Sequence, residues 1–457
     1  MSGAVAAGNR HSAEAGAWAL REGGTAVDAA LAATFAAFVA EGPLTGPAGG
    51  GFLMLREPGL DTVALDCFFA VPSRSPEEME EVVIDFGDAS TQVFHIGEAS
   101  VAVPGLLTGL EEAHARRGRL PWERLLVPAL ELAHRGIVPD AAHAFLLEIL
   151  VPILQREPGG RRIYGTAGRI DGRDLVPALN LIRDARAEAI ALLLPELAPD
   201  IAGYAVRSCA PLEGAICGAT VLTTPEPSRG GGVIQAGLRE LDERGDDVSG
   251  SAAEARSLAA ALAAGYGAPG PVPSGGTRPT GTTNVSVIDA DGAAVALSST
   301  LGSGSGVFRH GFQLNNMLGE RDVIGDDARE PGTRLPSMMA PTLVLVDDEP
   351  RLVVGSAGSV RLAGAILQVV AGVVRQGLPV EDAIARPRLH VDGSTVHIEG
   401  GWPEDVAGAL AEDGFEPVVW VASNLFFGGA SAVERRPSGA LGAAGDPRRG
   451  GYACIVR

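Results

Sequence analysis

The stretch Gly281-Thr282-Thr283-Asn284-Val285-Ser286-Val287-Ile288-Asp289, continued by Ala290-Asp291-Gly292 and then Ala293 to Thr300, decides how the chain is read. Two runs of β-branched and small residues flank a three-residue connection with glycine last, the place where a common three-residue hairpin loop turns left-handed. The spacing predicts a β-hairpin. If Asp289 and Ala293 bracket the loop, seven residues back on one strand and seven forward on the other set Thr282 opposite Thr300. Two hydroxyls then face each other.

A hydroxyl is a weak nucleophile until a base takes its proton, and a free α-amine is one such base. Thr282 carries that amine only once its bond to Gly281 is cut, and Gly281, without a side chain, crowds the cleavage little. Taken by itself, Gly-Thr-Thr is also an ordinary strand start.

The rest of the 457-residue chain narrows the choice. Apolar residues make up 46% and charged residues 20%, the composition of a globular protein with room for a large core. The 62 glycines and 31 prolines imply many tight connections, and the core falls to Ala, Leu and Val because aromatics are only 5%. A formal net charge of −20 repels nucleic acid and anionic membrane surfaces, so neither is an expected partner. No basic segment followed by an apolar run opens the sequence, and a cytoplasmic location is the expectation. Cys67, Cys209, Cys217 and Cys454 have neither zinc spacing nor a CxxC pair and read as buried thiols. With 8 histidines and no HExxH, no metal or other cofactor is expected.

Helical periodicity covers Ser12 to Glu22 and a nearly all-apolar segment from Ala26 to Ala40. A glycine turn at Gly49-Gly50-Gly51 feeds a strand to Leu55. It lacks the Gly-Lys-Ser/Thr of a phosphate loop, which argues against nucleotide binding. Further strands are expected at Val63 to Asp66 and Ser100 to Gly105, with an acidic surface excursion from Pro72 to Asp88 between them. Helices follow at Leu106 to Arg117, Trp122 to Arg135, Ala141 to Gln155 and Ala187 to Leu194. After a strand at Val221 to Thr224 come helices at Val233 to Glu243 and Ala252 to Ala264. Gly265 to Gly281 has no periodicity and reads as a linker, suited to processing or to joining domains. Beyond the hairpin, strands at Thr342 to Val346 and Leu352 to Val354 lead through Gly355-Ser356-Ala357-Gly358-Ser359 into a helix at Val360 to Arg375. Backbone N–H groups at such a turn either hold an oxyanion or merely make a tight turn. Two strand-and-helix units are expected to finish the chain.

Several pieces, in order, resemble the γ-glutamyltranspeptidase family of N-terminal-nucleophile hydrolases. They are Glu22-Gly23-Gly24-Thr25-Ala26-Val27-Asp28, the triple glycine before Phe52, Val101-Ala102-Val103-Pro104-Gly105, Gly118-Arg119-Leu120-Pro121-Trp122, Thr282-Thr283 with Asp291-Gly292, Leu314-Asn315-Asn316, Ala340-Pro341-Thr342 and Gly355-Ser356. The resemblance implies an α/β (α+β) fold, a four-layer αββα sandwich. It implies a precursor that cuts itself between Gly281 and Thr282 into a large subunit (1–281) and a small one (282–457), interleaved in one structural domain. Thr282 would then be the nucleophile, Thr300 the threonine that orients it, and Gly358 and Ser359 the oxyanion turn, with serine where the family has a second glycine. The implied partners are a small amide or γ-glutamyl-type donor and an amine acceptor.

The departures lie where the family grips the γ-glutamyl group. Phe68 stands where an arginine normally clamps the α-carboxylate. Ser337 is kept, but Met338 replaces its companion serine. Gly302 replaces an asparagine, and Glu320, near Asn316, is left as the amine-binding acid of the substrate set. Arg309, Arg334 and Arg361 are candidates to replace the lost clamp. The reading that follows is a threonine amidohydrolase or acyltransferase with an altered donor pocket. The alternative is a catalytically inactive relative serving as a structural or binding protein.

Overall fold

The computed structural model describes residues 2–74, 78–85, 91–166, 168–245, 249–267, 281–325 and 329–457. Its centre is the expected hairpin: strands Gly281–Asp289 and Ala294–Gly302 pair antiparallel with Thr282 opposite Thr300. Gly292 takes the left-handed φ of 88° in the loop. The Asp289 carboxylate fixes the turn by accepting the N–H groups of Asp291 and Ala293 at 3.0 and 2.9 Å. Its second oxygen accepts the Ala26 N–H at 2.8 Å, which ties the hairpin tip to the start of a helix. Burial pushes the pKa of this carboxylate up.

The hairpin lies in a seven-stranded antiparallel sheet ordered Tyr452–Val456, Gly3–Ala7, Gly281–Asp289, Ala294–Gly302, Gly50–Arg56, Val63–Cys67 and Arg207–Cys209. A second, six-stranded antiparallel sheet runs Leu441–Gly445, Gly429–Arg435, Glu349–Ala357, Thr342–Val346, Ala219–Thr223 and Leu212–Ile216. The two stack face to face, and Ala6, Met54, Ala296, Leu343, Val353 and Val433 form the apolar layer between them. At Gly355 the two sheets approach closely: a Cβ there would come within 2.9 Å of the Asn284 Cβ.

Helices cover both outer faces, giving the αββα order. Arg10–Arg21, Ala26–Ala40 and Leu106–Arg117 lie on the first sheet, and Gly230–Arg244, Ala252–Tyr266 and Arg361–Val370 belong to the second side. Every residue of Ala26–Ala40 is buried, as a nearly all-apolar helix requires. Thr25 and Asp28 form its capping box, and the Asp28 carboxylate also accepts the N–H groups of Arg119 and Leu120 at 3.0 and 3.1 Å. Two of the recurring sequence pieces, around Asp28 and around Arg119, are therefore one structural clamp.

Several expectations need correcting. Ser100 to Gly105 is not a strand: Val103 makes an isolated bridge with Ala70. The Asn315 side chain takes the place of a strand partner, bonding both the N–H and the C=O of Ala102 at 2.9 Å. The helices expected at Trp122 to Arg135 and Ala141 to Gln155 each break, into Trp122–Leu125 and Val127–Arg135 and into Ala141–Ile149 and Val151–Leu154. Pro128 and Pro152 cause the breaks, since neither offers an N–H to a preceding turn. The acidic excursion contains a hairpin, Glu80–Asp85 with Thr91–Ile96. The predicted linker falls outside the described residues over 268–280. Its first residues belong to the helix Ala252–Tyr266, whose last side chain donates to the Val360 carbonyl at 2.8 Å. The chain finishes with six strands and two helices among short turns, not two strand-and-helix units, and its last strand joins the edge of the first sheet. Of the four thiols only Cys67 is fully buried, and Cys217 is exposed.

Candidate active site

Side chains alternate across a strand. On Gly281–Asp289, Val285 and Val287 meet the helices, while Ser286 and Ile288 face the second sheet, Ser286 donating its hydroxyl to the Ser431 carbonyl at 2.9 Å. Thr282 shares the parity of Ser286, and Thr300 that of Ala294 and Ala296. The period thus aims both hydroxyls between the sheets, at one end of the sandwich. Each residue is only 4% exposed. Thr283 points the other way and donates to the buried Glu41 at 2.5 Å.

The Thr300 hydroxyl donates to the Gly281 carbonyl oxygen and accepts the Gly302 N–H at 2.8 Å. In the uncleaved chain the carbonyl preceding Thr282 is therefore already polarised. A Cβ on Gly281 would lie 2.4 Å from the Gly302 carbonyl oxygen, so position 281 is sterically restricted to glycine.

A small cavity opens beside the pair. Thr282, Thr300 and Gly302 form one wall, and Phe68 and Met338 another. Glu320, Ser337 and Ser359 also line it, so most of the residues singled out from sequence converge there. Among the described lining residues Glu320 is the charged one. It accepts both the N–H and the hydroxyl of Ser303, at 2.9 and 2.7 Å. Phe68 is held by stacking on Phe52, with ring centroids 5.3 Å apart. Met317, Val323, Met339 and Leu362 add apolar surface that sequence reasoning missed. The only signal for them was proximity in sequence to Glu320, Met338 and Ser359.

Asn316 is engaged elsewhere. Its amide oxygen accepts the N–H groups of Ser303 and Gly304 at 2.7 and 3.1 Å, and its nitrogen donates to the His95 carbonyl at 3.3 Å. It braces the loop that carries Gly302, which has a φ of 68° and whose Cβ would strike the Asn316 oxygen at 2.3 Å. A side chain at 302 would require the Asn316 and Glu320 side chains to move.

None of the three candidate arginines lines the cavity. Arg309 bonds Glu98 at 2.6 Å. Arg334 lies behind Phe68, paired with Asp66 at 3.2 Å, donating to the Phe68 carbonyl at 3.1 Å and stacked 4.0 Å over Tyr204. Arg361 sits 4.5 Å over the Phe426 ring, and burial pushes its pKa down to about 9.

At the end of the strand Glu349–Ala357, Gly358 and Ser359 turn into the helix Arg361–Val370 with φ values of 138° and 56°. Their N–H groups donate no hydrogen bond among the described residues, so both are available to an oxyanion. The positive φ of Ser359 costs about 1 kcal/mol relative to glycine. Ser359→Gly is accordingly expected to raise unfolding free energy by about that amount, measured by urea denaturation in an uncleaved background. It should keep amide hydrolysis within about threefold of the parent, because the N–H remains.

Among the described residues no cluster of His, Cys, Asp or Glu is placed to hold a metal ion, and no helix is long and apolar enough to cross a membrane.

A family model described as gamma-glutamyltranspeptidase matches residues 12–184 and 241–456. The chain belongs to the γ-glutamyltranspeptidase family. That family comprises hydrolases and transferases that act on amide bonds. The glutathione hydrolase proenzyme of Pseudomonas aeruginosa is 30% identical, with 100% of this chain and 95% of that protein covered. The acylase ACY 1 proenzyme of Pseudomonas sp. strain SE83 is 28% identical, with 93% and 88% covered. In fold, the chain superposes on the crystal structure of cephalosporin acylase from Bacillus halodurans with a TM-score of 0.83, 20% identity and 99% and 95% coverage. As a γ-glutamyltranspeptidase family member it has the αββα sandwich of the N-terminal-nucleophile hydrolases.

Proposed function

We propose that this family member is a self-processing threonine amidohydrolase or acyltransferase whose donor pocket does not select an α-carboxylate. The observation that carries the reading is the Thr300 hydroxyl donating to the Gly281 carbonyl beside Thr282. In processing, Thr282 Oγ attacks that carbonyl carbon, the Gly281–Thr282 amide becomes an ester, and water releases the Gly281 carboxylate and a free Thr282 α-amine. The proenzyme names of the glutathione hydrolase and acylase relatives support such a maturation. Residues 1–281 and 282–457 would remain as large and small subunits, held by strand pairing in the first sheet.

In turnover the α-amine takes the Thr282 hydroxyl proton as Oγ attacks the substrate carbonyl. The N–H groups of Gly358 and Ser359 hold the oxyanion. The departing amine receives the proton and leaves an acyl-enzyme, which passes its acyl group to water or another amine. Glu320 is suited to a donor amine, whereas Phe68 and Met338 offer apolar surface where an α-carboxylate would need a cation.

Denaturing electrophoresis with N-terminal sequencing tests the processing: two bands, one beginning at Thr282, are expected, and a persistent single chain would favour the inactive-relative alternative. The pocket is tested by comparing γ-glutamyl-p-nitroanilide with 4-aminobutanoyl-p-nitroanilide, which keeps the amine and lacks the α-carboxylate. The second is expected to have the higher kcat/KM by about tenfold or more, since an unpaired buried carboxylate loses a charge-assisted bond. A clear preference for the γ-glutamyl compound would overturn the altered-pocket reading and leave Thr282 in its role.

A further inference from the structure

The turn at Gly358 and Ser359 is secured from outside its own segment. The Gly358 and Ser359 carbonyls accept the Arg361 and Leu362 N–H groups at 3.1 and 3.3 Å, at the start of the helix Arg361–Val370. The pattern changes one residue on. In an uninterrupted helix the Gly364 N–H reaches the carbonyl four residues back, that of Val360. Among the described residues it donates instead to the Tyr266 hydroxyl at 3.3 Å, and that hydroxyl donates to the Val360 carbonyl at 2.8 Å. A phenol from another helix is thus inserted in the first turn, and Gly364 makes the room: a Cβ there would stand 3.1 Å from the Tyr266 oxygen.

Tyr266 is held on its own side as well. It closes the helix Ala252–Tyr266, and its ring meets that of His390 edge to face with centroids 5.4 Å apart. Burial pushes its pKa up, so the hydroxyl remains a donor across the working pH range. A trans peptide points its C=O and N–H opposite ways, so the Gly358 carbonyl, by accepting from Arg361, aims the Ser359 N–H away from the helix. Ser359 itself lines the cavity beside Thr282. That geometry keeps Ser359 at a left-handed φ of 56°, which a side chain resists. With the Tyr266 hydroxyl gone, the Gly364 N–H is free to close on the Val360 carbonyl, which rotates the peptide next to the turn and lets Ser359 relax.

Resting on the reading that Gly358 and Ser359 hold the oxyanion when Thr282 attacks a substrate, we propose that Tyr266 is the positioning residue of that turn and serves turnover, not self-cleavage. The Gly281 carbonyl is polarised by Thr300, whereas a substrate carbonyl depends on the turn. Under the proposed cut Tyr266 lies on the large piece and the turn on the small one, so the oxyanion site is complete only while the two stay together.

Tyr266→Phe keeps the ring and removes the hydroxyl. The variant is expected to mature with a half-time within about twofold of wild type, while kcat for 4-aminobutanoyl-p-nitroanilide falls about tenfold and KM stays within about twofold, because the oxyanion exists only in the transition state. Gly364→Ala approaches the same link from the other side with a better helix former. Its Cβ crowds the Tyr266 hydroxyl, while the nearer Leu262 Cδ2, at 2.9 Å, is the flexible end of its side chain. There kcat is expected to fall about threefold, again with KM and maturation little changed. A processed Tyr266→Phe enzyme with wild-type kcat would overturn the proposal, as would self-cleavage slowed by the same factor as turnover, the mark of a general loosening. If Tyr266→Phe does not fold, wild-type kcat in Gly364→Ala overturns it. A wild-type chain that neither exposes the Thr282 amino terminus nor cleaves the anilide refutes the underlying reading, and one that does both while Tyr266→Phe turns over unchanged refutes the role of Tyr266 alone.

Discussion

Thr282→Ala is expected to yield one uncleaved chain with no measurable amidase activity. In the proposed chemistry the same hydroxyl attacks the Gly281 carbonyl in maturation and the substrate carbonyl in turnover, and without the first attack the α-amine that activates the second never appears. Loss of a nucleophile lowers kcat by about 10⁴-fold or more. The variant should fold, because Thr282 makes no side-chain hydrogen bond among the described residues that alanine would forfeit. Mass spectrometry of the purified chain and an anilide assay are the readouts, and a normally split Thr282→Ala protein would remove this residue from the centre of the chemistry. Thr282→Ser should still process, more slowly, since hydroxyl and amine both survive.

The second large effect is expected at Thr300. Its hydroxyl donates to the Gly281 carbonyl while accepting from the Gly302 N–H, so Thr300→Ala removes a donor aimed at a developing oxyanion and leaves a buried N–H without its acceptor. Donors so placed contribute about 10²-fold to rate. Self-cleavage in Thr300→Ala should slow by about that factor, followed as the half-time for disappearance of the precursor band. Thr300→Ser should stay within a few fold of wild type. Equal half-times for Thr300→Ala and wild type would mean that the hydroxyl plays no part in polarising the bond.

The hairpin was legible from sequence because two strong rules act together there. A three-residue loop sets the register, and a period of two then sets the direction of every side chain, so Thr282 and Thr300 could be paired by counting. The helix Ala26–Ala40 was legible for a similar reason: apart from Asp28 at its start and Thr34, its residues are apolar and have nowhere to go but inside. Val101-Ala102-Val103 misled because β-propensity measures fit to a strand partner, and here the partner is the Asn315 side chain.

At the site, Phe68, Glu320, Ser337 and Met338 were found by resemblance and do converge on one cavity. The arginines failed because nearness along the chain carries no information about direction. Arg334 supports Phe68 from behind, and the guanidinium beside the oxyanion turn belongs to Arg449, far along the chain on the approach to the last strand.

The order of strands in the first sheet bears on durability. Tyr452–Val456, Gly281–Asp289 and Ala294–Gly302 come from one side of the proposed cut, and Gly3–Ala7, Gly50–Arg56, Val63–Cys67 and Arg207–Cys209 from the other, with Gly3–Ala7 inserted between strands of the opposite piece. In this sheet neither piece's strands are all adjacent, so under the proposed cut the sheet would have to be assembled before the bond is broken, and a mature molecule pulled apart would have lost the covalent connection that guided its assembly. The lifetime of an enzyme so cleaved would then be set by the height of its unfolding barrier and not by an equilibrium, which would make each molecule's maturation a single, irreversible commitment.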